Sequence, residues 1–368
     1  MSTDQFINAS RPGFTISASD IIGRVLRSIA APALAILLAL ILFGVFLAMT
    51  GRNPFSVYAS IYKGAFGSWF SWQNTLVRAA PLMLTALCTA IPARLGLVVI
   101  GGEGAFVVGA VATVIAAAAL SSFPPPVVML GMAMCGSIAG GVWIGAVGAL
   151  RRLKGVNETI SSLLLNYIAI AIMNHLVNGP IRDYEVVNRP SSWHIGELNM
   201  LGNIPGMDVH WGLVIGLITC CAVFVVTNLT TTGFAFRVVG GNLRAAQVVG
   251  LPVTGLVILA CVLGGLAAGL AGVIEVMAVQ GRVSSSVLAN YGYTGILIAF
   301  IARHNPLAII PAAILLGGIG ASGGLLQRWH GLPDATVLLL QGIMFVMILA
   351  RDPIFRALEK LTRRGANA

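Results

Sequence analysis

Apolar positions in this chain come in long blocks rather than in the alternation of a half-buried strand, and blocks of 15 to 27 residues recur almost from end to end. An α-helix crosses a bilayer in about 20 residues. The blocks predict ten spans, at 30–49, 79–93, 104–120, 126–150, 158–177, 211–228, 253–279, 287–302, 306–321 and 335–350. The expected fold is therefore all-α, a polytopic transmembrane helical bundle. The first block exceeds the roughly 7 to 15 residues of a signal-peptide core and runs into Thr50, Gly51 and Arg52 rather than a small-residue cleavage site, which marks a retained helix. Before it, Ile21, Ile22, Val25, Leu26 and Ile29 recur at helical spacing with Arg24 and Arg27 between them, the pattern of a helix lying on a membrane surface. The chain then divides into a segment 1–28 with that interfacial helix, a transmembrane domain 29–350 and a basic tail 351–368.

Some blocks are short for a crossing. Residues 79–93 hold Pro81 and Pro92, and 287–321 is broken by His304, Asn305, Pro306 and Pro311, so both are expected to be interrupted helices. Irregular backbone at membrane depth survives only inside protein or beside a watery cavity, and paired interruptions in two halves of a chain point to a transport path. The other reading is a pair of kinked, tilted helices. Gly136, Gly140, Gly141 and Gly145 in the fourth span, and Gly265, Gly269 and Gly272 in the seventh, stand at or near four-residue spacing, which lets helix backbones approach closely.

Composition removes most alternatives. Of 368 residues 57% are hydrophobic and 9% charged, against about 25% charged in a soluble globular protein, so an aqueous catalytic domain has no room. A net charge of +10 would suggest nucleic acid in a soluble protein, yet here the basic residues sit in short loops. With the N-terminus inside, 15 Lys and Arg fall on the inner side and 7 on the outer. The positive-inside rule then puts both termini in the cytoplasm, and no nucleic-acid partner is expected. Cys88, Cys135, Cys220, Cys221 and Cys261 all lie in apolar runs, without a C-x-x-C pair or a His at ligand spacing. They read as small core residues; no disulfide framework, metal site or cofactor is expected.

Few ionisable groups sit at membrane depth, and none forms a catalytic set. Glu103 interrupts the apolar stretch 97–120, where a charge must face protein or water; it reads either as a pathway residue or as a carboxylate near the cytoplasmic surface paired with Arg94. Glu275 falls near the outer end of an otherwise uncharged run and either lines an outer vestibule or is an interfacial carboxylate paired with Arg282. Asn157 suits a helix N-cap and Glu158 the first turn. Ser162 and Asn166 continue the i, i+4 row from Glu158, giving one helix face three polar groups. Ser162 is assigned to bonding between helices and Asn166 to contact with a polar solute, whose hydroxyls or amides its side chain can meet as donor and acceptor.

The inner loop 229–252 is more elaborate than a connector needs. Its middle, 243–249, reads as a short small-residue helix bounded by glycines, suited to docking in a groove on a cytoplasmic partner through Asn242, Arg244, Ala245, Ala246 and Gly250.

Five stretches, 96–105, 155–169, 240–251, 265–282 and 291–318, together resemble in order and spacing the permease subunits of ABC importers, in the nucleoside or simple-sugar branch related to the ribose and branched-chain amino acid permeases. The resemblance implies a bacterial inner-membrane subunit that pairs with a second permease, same or homologous, and two cytoplasmic ATPases, and takes solute from an extracytoplasmic binding protein. It also implies that 240–251 is the coupling helix that docks on the ATPase. Where the branch reads Gly-Leu-Phe-Asn-Ile-Gly-x-Glu-Gly-Gln, this chain has Val99 for the Asn and Ala105 for the Gln. No Gly-x-x-x-x-Gly-Lys-Ser/Thr phosphate loop occurs, so the chain is expected to be a transport subunit and no enzyme, driven by a separate ATPase. An ion-coupled secondary transporter using Glu103 or Glu275 is the competing reading, beside a permease for simple sugars or branched-chain amino acids; an intramembrane enzyme lacks the clustered His, Asp or Cys it would need.

Overall fold

The structure, a computed structural model, describes residues 18–186 and 189–350. The basic tail from Arg351 and the segment before Ala18 lie outside the described residues. Within them the chain is built from helices: α1 (Ala18–Met49), α2 (Pro54–Phe66), α3 (Trp69–Ala93), α4 (Gly102–Ala119), α5 (Pro125–Lys154), α6 (Glu158–Asn178), α7 (Gly212–Leu229), α8 (Thr231–Gly241), α9 (Leu243–Val248), α10 (Val253–Glu275), α11 (Tyr291–Ile301), α12 (Pro306–Ala321), α13 (Gly323–His330) and α14 (Ala335–Leu349). Among the described residues, seven helical segments are long and apolar enough to cross a membrane: α3, α4, α5, α6, α7, α10 prolonged to Gln280, and α12 prolonged through α13. The apolar part of α1 and the whole of α2 form a further pair, bent by 120°. The stretch ending in α11 and the helix α14 are apolar but shorter.

No break separates the expected interfacial helix from the first span, because α1 runs unbroken over 32 residues. The expectation for 79–93 is corrected: this is the second part of a continuous α3 of 25 residues with Pro81 and Pro92 inside it. A proline removes one ladder bond and crowds one carbonyl, and here the surrounding bundle holds the helix together. Thr85 Oγ1 donates to Pro81 O at 3.0 Å within the helix and to Tyr291 O at 3.0 Å, bracing α3 against α11. The break in 287–321 is real. Arg303 and His304 adopt left-handed φ of 50° and 58°, and α12 restarts at Pro306 with Asn305 Oδ1 accepting from Leu307 N–H at 3.1 Å. Pro311 lies inside α12 without ending it.

The glycine faces meet. A β-carbon on Gly140 would stand 2.6 Å from both Gly265 O and Gly269 Cα, and one on Gly109 of α4 would stand 2.6 Å from Gly269 Cα. So α4, α5 and α10 touch backbone to backbone, the close approach that small residues permit in lipid. On the other side α3, α11 and α12 pack together, with α14 against α1. Between α6 and α7 the chain lies over the end of α10: Ser192 N–H donates to Val283 O at 2.8 Å, Ile195 N–H to Gly281 O at 2.9 Å and Leu201 N–H to Met277 O at 2.7 Å.

Candidate functional site

The polar row of α6 is spent on the segment that leads into α4. Thr159 Oγ1 donates to Val98 O at 2.9 Å, Ser162 Oγ accepts from Ile100 N–H at 3.0 Å, and Asn166 bridges the turn, accepting from Gly104 N–H at 2.7 Å and donating to Ile100 O at 2.9 Å. Ser162 thus ties α6 to the segment before α4. Asn166, read from sequence as a solute contact, is fully buried with both ends of its amide on backbone. Glu158 pairs with Arg151 at 3.2 Å across the α5–α6 turn, and Asn157 caps α6, accepting from Thr159 N–H at 2.9 Å.

Glu103 is buried in the first turn of α4 and its Oε2 accepts from Gly292 N–H at 2.6 Å. The carboxylate therefore occupies the N-terminus of α11, where unpaired N–H groups and the helix dipole both favour an anion. The pairing with Arg94 is corrected: that guanidinium donates to His304 O at 3.2 Å and to Asn228 Oδ1 at 3.5 Å. Glu275 is buried where α10 passes into a single π-helical turn, Val276–Gln280. Its Oε1 accepts from Gln280 Nε2 at 3.0 Å, whereas Arg282 turns to Asp183 at 3.5 Å, which corrects the Glu275–Arg282 pairing.

Two cavities lie beside α11. One, of about 430 Å³, opens between α3, α11, α12 and α14 and is lined by Arg78, Asn290, Thr294, Asp334 and Gln341 among apolar neighbours. The other, of about 400 Å³, is lined by Ile100, Tyr293, Ile296, Leu297 and Phe345 and shares Asn290, Thr294, Leu338 and Gln341 with the first. Thr294 Oγ1 donates to Gln341 Oε1 at 3.1 Å where the two meet. Sequence reasoning passed over these residues. The signal was a single amide in the apolar run 335–350, but its hydroxyl partner lies 47 residues away.

In the loop between α7 and α10, α8 is capped by Thr230 and α9 by Asn242, whose Oδ1 accepts from Ala245 N–H at 3.1 Å. Arg244, Ala245 and Gly250 are exposed, but Ala246 is fully buried and so is no part of the outward surface. That surface carries instead Val248, 88% exposed, with Val249 and Leu243.

A bundle of apolar helices with a buried polar seam, cavities beside α11 and a short helix with an exposed apolar tip is built as a membrane permease. The family described as branched-chain amino acid transport system, permease component, matches residues 71–349, and the chain belongs to it. It is a multi-pass inner-membrane permease subunit of an ABC importer, a transport subunit whose family works with ATP-binding subunits and a solute-binding protein. Among similar proteins, the glucose ABC transporter permease protein TsgB13 of Haloferax volcanii is 30% identical over 92% of this chain and 92% of its own. The guanosine ABC transporter permease protein NupP of Bacillus subtilis is 26% identical, covering 91% and 97%. The nucleoside ABC transporter permease protein NupB of Lactococcus lactis is 26% identical, covering 93% and 99%.

Proposed function

We propose that this permease carries nucleosides, or closely related small polar solutes, inward across the membrane. The observation that carries the reading is the likeness to guanosine and nucleoside permeases over nearly the whole of both chains. The interior supports a solute without net charge: the buried carboxylates Glu103 and Glu275 are held by protein donors, and Arg78, which lines the first cavity, is matched there by Asp334. In this reading Glu103, Ser162, Asn166 and Glu275 shape the pathway by fixing the segments that border it. Ten crossings with both termini cytoplasmic, a surface segment 1–28 and a basic tail 351–368 are supported by the bias of Lys and Arg. The α8–α9 loop is the coupling element, its exposed apolar tip and Arg244 entering a groove on the ATPase, and a second permease, identical or homologous, completes the pair. The likeness to the glucose permease supports a sugar as the second reading.

Uptake of radiolabelled guanosine, uridine, ribose and leucine by cells with and without the chain tests this. Chain-dependent nucleoside uptake is expected; chain-dependent uptake of ribose or leucine alone would remove the nucleoside assignment.

A further inference from the structure

We infer that the two cavities flanking the Thr294–Gln341 hydrogen bond form one solute station inside the single chain, with Asn290, Thr294 and Gln341 as its polar contacts. It is shaped for a neutral molecule with a hydroxyl-bearing end and a flat apolar ring. The inference rests on the nucleoside reading above and adds where and how such a solute is held.

Size comes first. Volumes of about 430 and 400 Å³ each fall in the range of roughly 300 to 1,000 Å³ found for small-molecule pockets. Their walls differ in kind. The first carries Arg78 and Asp334, charges of opposite sign, beside the three polar side chains. The second is walled mainly by Tyr293, Phe345, Ile296 and Leu297. A sugar alone would leave the apolar chamber filled with poorly bonded water, and a purely apolar solute would strand the amides of the polar one. A molecule with both ends satisfies both chambers.

Two of the polar groups are free for this work. Asn290 stands at the N-cap of α11 with φ 57° and makes no side-chain capping bond, although capping is what an asparagine there ordinarily does. Glu103 takes the Gly292 N–H in its place, so the Asn290 amide lines both cavities unspent. Gln341 is only 8% exposed, in a helix whose one other polar side chain is Thr336. The Thr294 hydroxyl engages its oxygen, and that bond does not consume its amide nitrogen. A buried amide in a membrane helix is expensive unless it serves another group. A solute lying across both chambers exchanges the Thr294–Gln341 bond for bonds to itself, so the pair forms a partition that the solute opens.

The test is saturable uptake of guanosine, ribose and leucine by cells expressing the complete transporter, normalised to the permease in the membrane, for wild type, Gln341→Leu, Thr294→Val and Phe345→Ala. The expected result is nucleoside uptake by wild type and a rise in its KM of about tenfold in Gln341→Leu and Phe345→Ala, the effect of losing one good contact. A second measurement needs no polar substitution: Leu338→Cys in a background without native cysteines, where saturating guanosine is expected to slow maleimide labelling several-fold. Nucleoside uptake with unchanged KM in the variants, or labelling indifferent to guanosine in an active transporter, overturns the station. Wild-type uptake of ribose or leucine without nucleosides overturns the nucleoside reading itself, and with it the shape argued for the solute.

Discussion

Glu103 on α4 holds the backbone N–H of Gly292 at the start of α11, a 2.6 Å bond between residues 189 apart in sequence. One side chain thus pins two helices at their N-termini. Glu103→Ala strands a buried donor, a loss of about 1–3 kcal/mol, whereas Glu103→Gln keeps an acceptor oxygen and loses less. Thermal unfolding of the purified chain in detergent measures the order wild type, Gln, Ala. An alanine variant melting with the wild type would show that the bond contributes nothing.

Gly140 and Gly255 separate packing from propensity. A methyl on Gly140 meets the backbone of α10, whereas one on Gly255 meets nothing within 4 Å. Gly140→Ala is therefore expected to lose roughly 1–3 kcal/mol by overpacking, and Gly255→Ala to be neutral or slightly stabilising. Monodisperse yield and melting temperature of the two variants give the comparison; equal behaviour contradicts backbone contact at the seam.

On α9 the surface and the interior make opposite predictions. Val248→Asp alters only an exposed tip, so it is expected to abolish retention of the ATP-binding subunit during purification while the permease stays folded. Ala246→Asp buries an unpaired carboxylate and is expected to lower the yield of folded chain. Full ATPase retention by Val248→Asp would exclude the tip as the docking surface.

His210, buried just before α7, is held below the ordinary histidine value by desolvation, which outweighs the opposing contact with the Val77 backbone. The fold therefore favours the neutral ring. Its contribution to stability is complete above the unfolded value of about pH 6.5 and is lost as pH falls through it toward the folded value. Against His210→Gln, the melting temperature of the wild type is expected to drop faster between about pH 7.5 and 5. Parallel curves would exclude this ring as the source.

Sidedness is read by single cysteines in a cysteine-free background. His194→Cys is expected to label from outside and Gln247→Cys only from inside, following the basic-residue bias. Reversal at either position overturns the topology.

What the sequence conveys here depends on the reach of each interaction. The apolar blocks locate α4, α6, α7 and α10 because burial in a bundle is written in runs of neighbouring residues. Asn157 is legible as a cap because its partners are two and three residues away. The first half of α3 escapes because Gln73, Asn74 and Arg78 dilute the run, although Thr75 is buried and donates to Ala65 O at 2.7 Å. The partners of Glu103, Asn166 and Gln341 stand 189, 62 and 47 residues off. Sequence therefore announces that these polar groups must be answered, and only the fold names what answers them.

The glycine contact of α4, α5 and α10 sets which motions are open to a transport cycle. Helices whose carbonyls abut neighbouring α-carbons have no side-chain layer to shear, so sliding one along another would drive backbone into backbone. The three can only swing together as a single lever. On the coupling role proposed for the α8–α9 loop, which runs through α9 into α10, a push there reaches these three helices as rotation rather than slip.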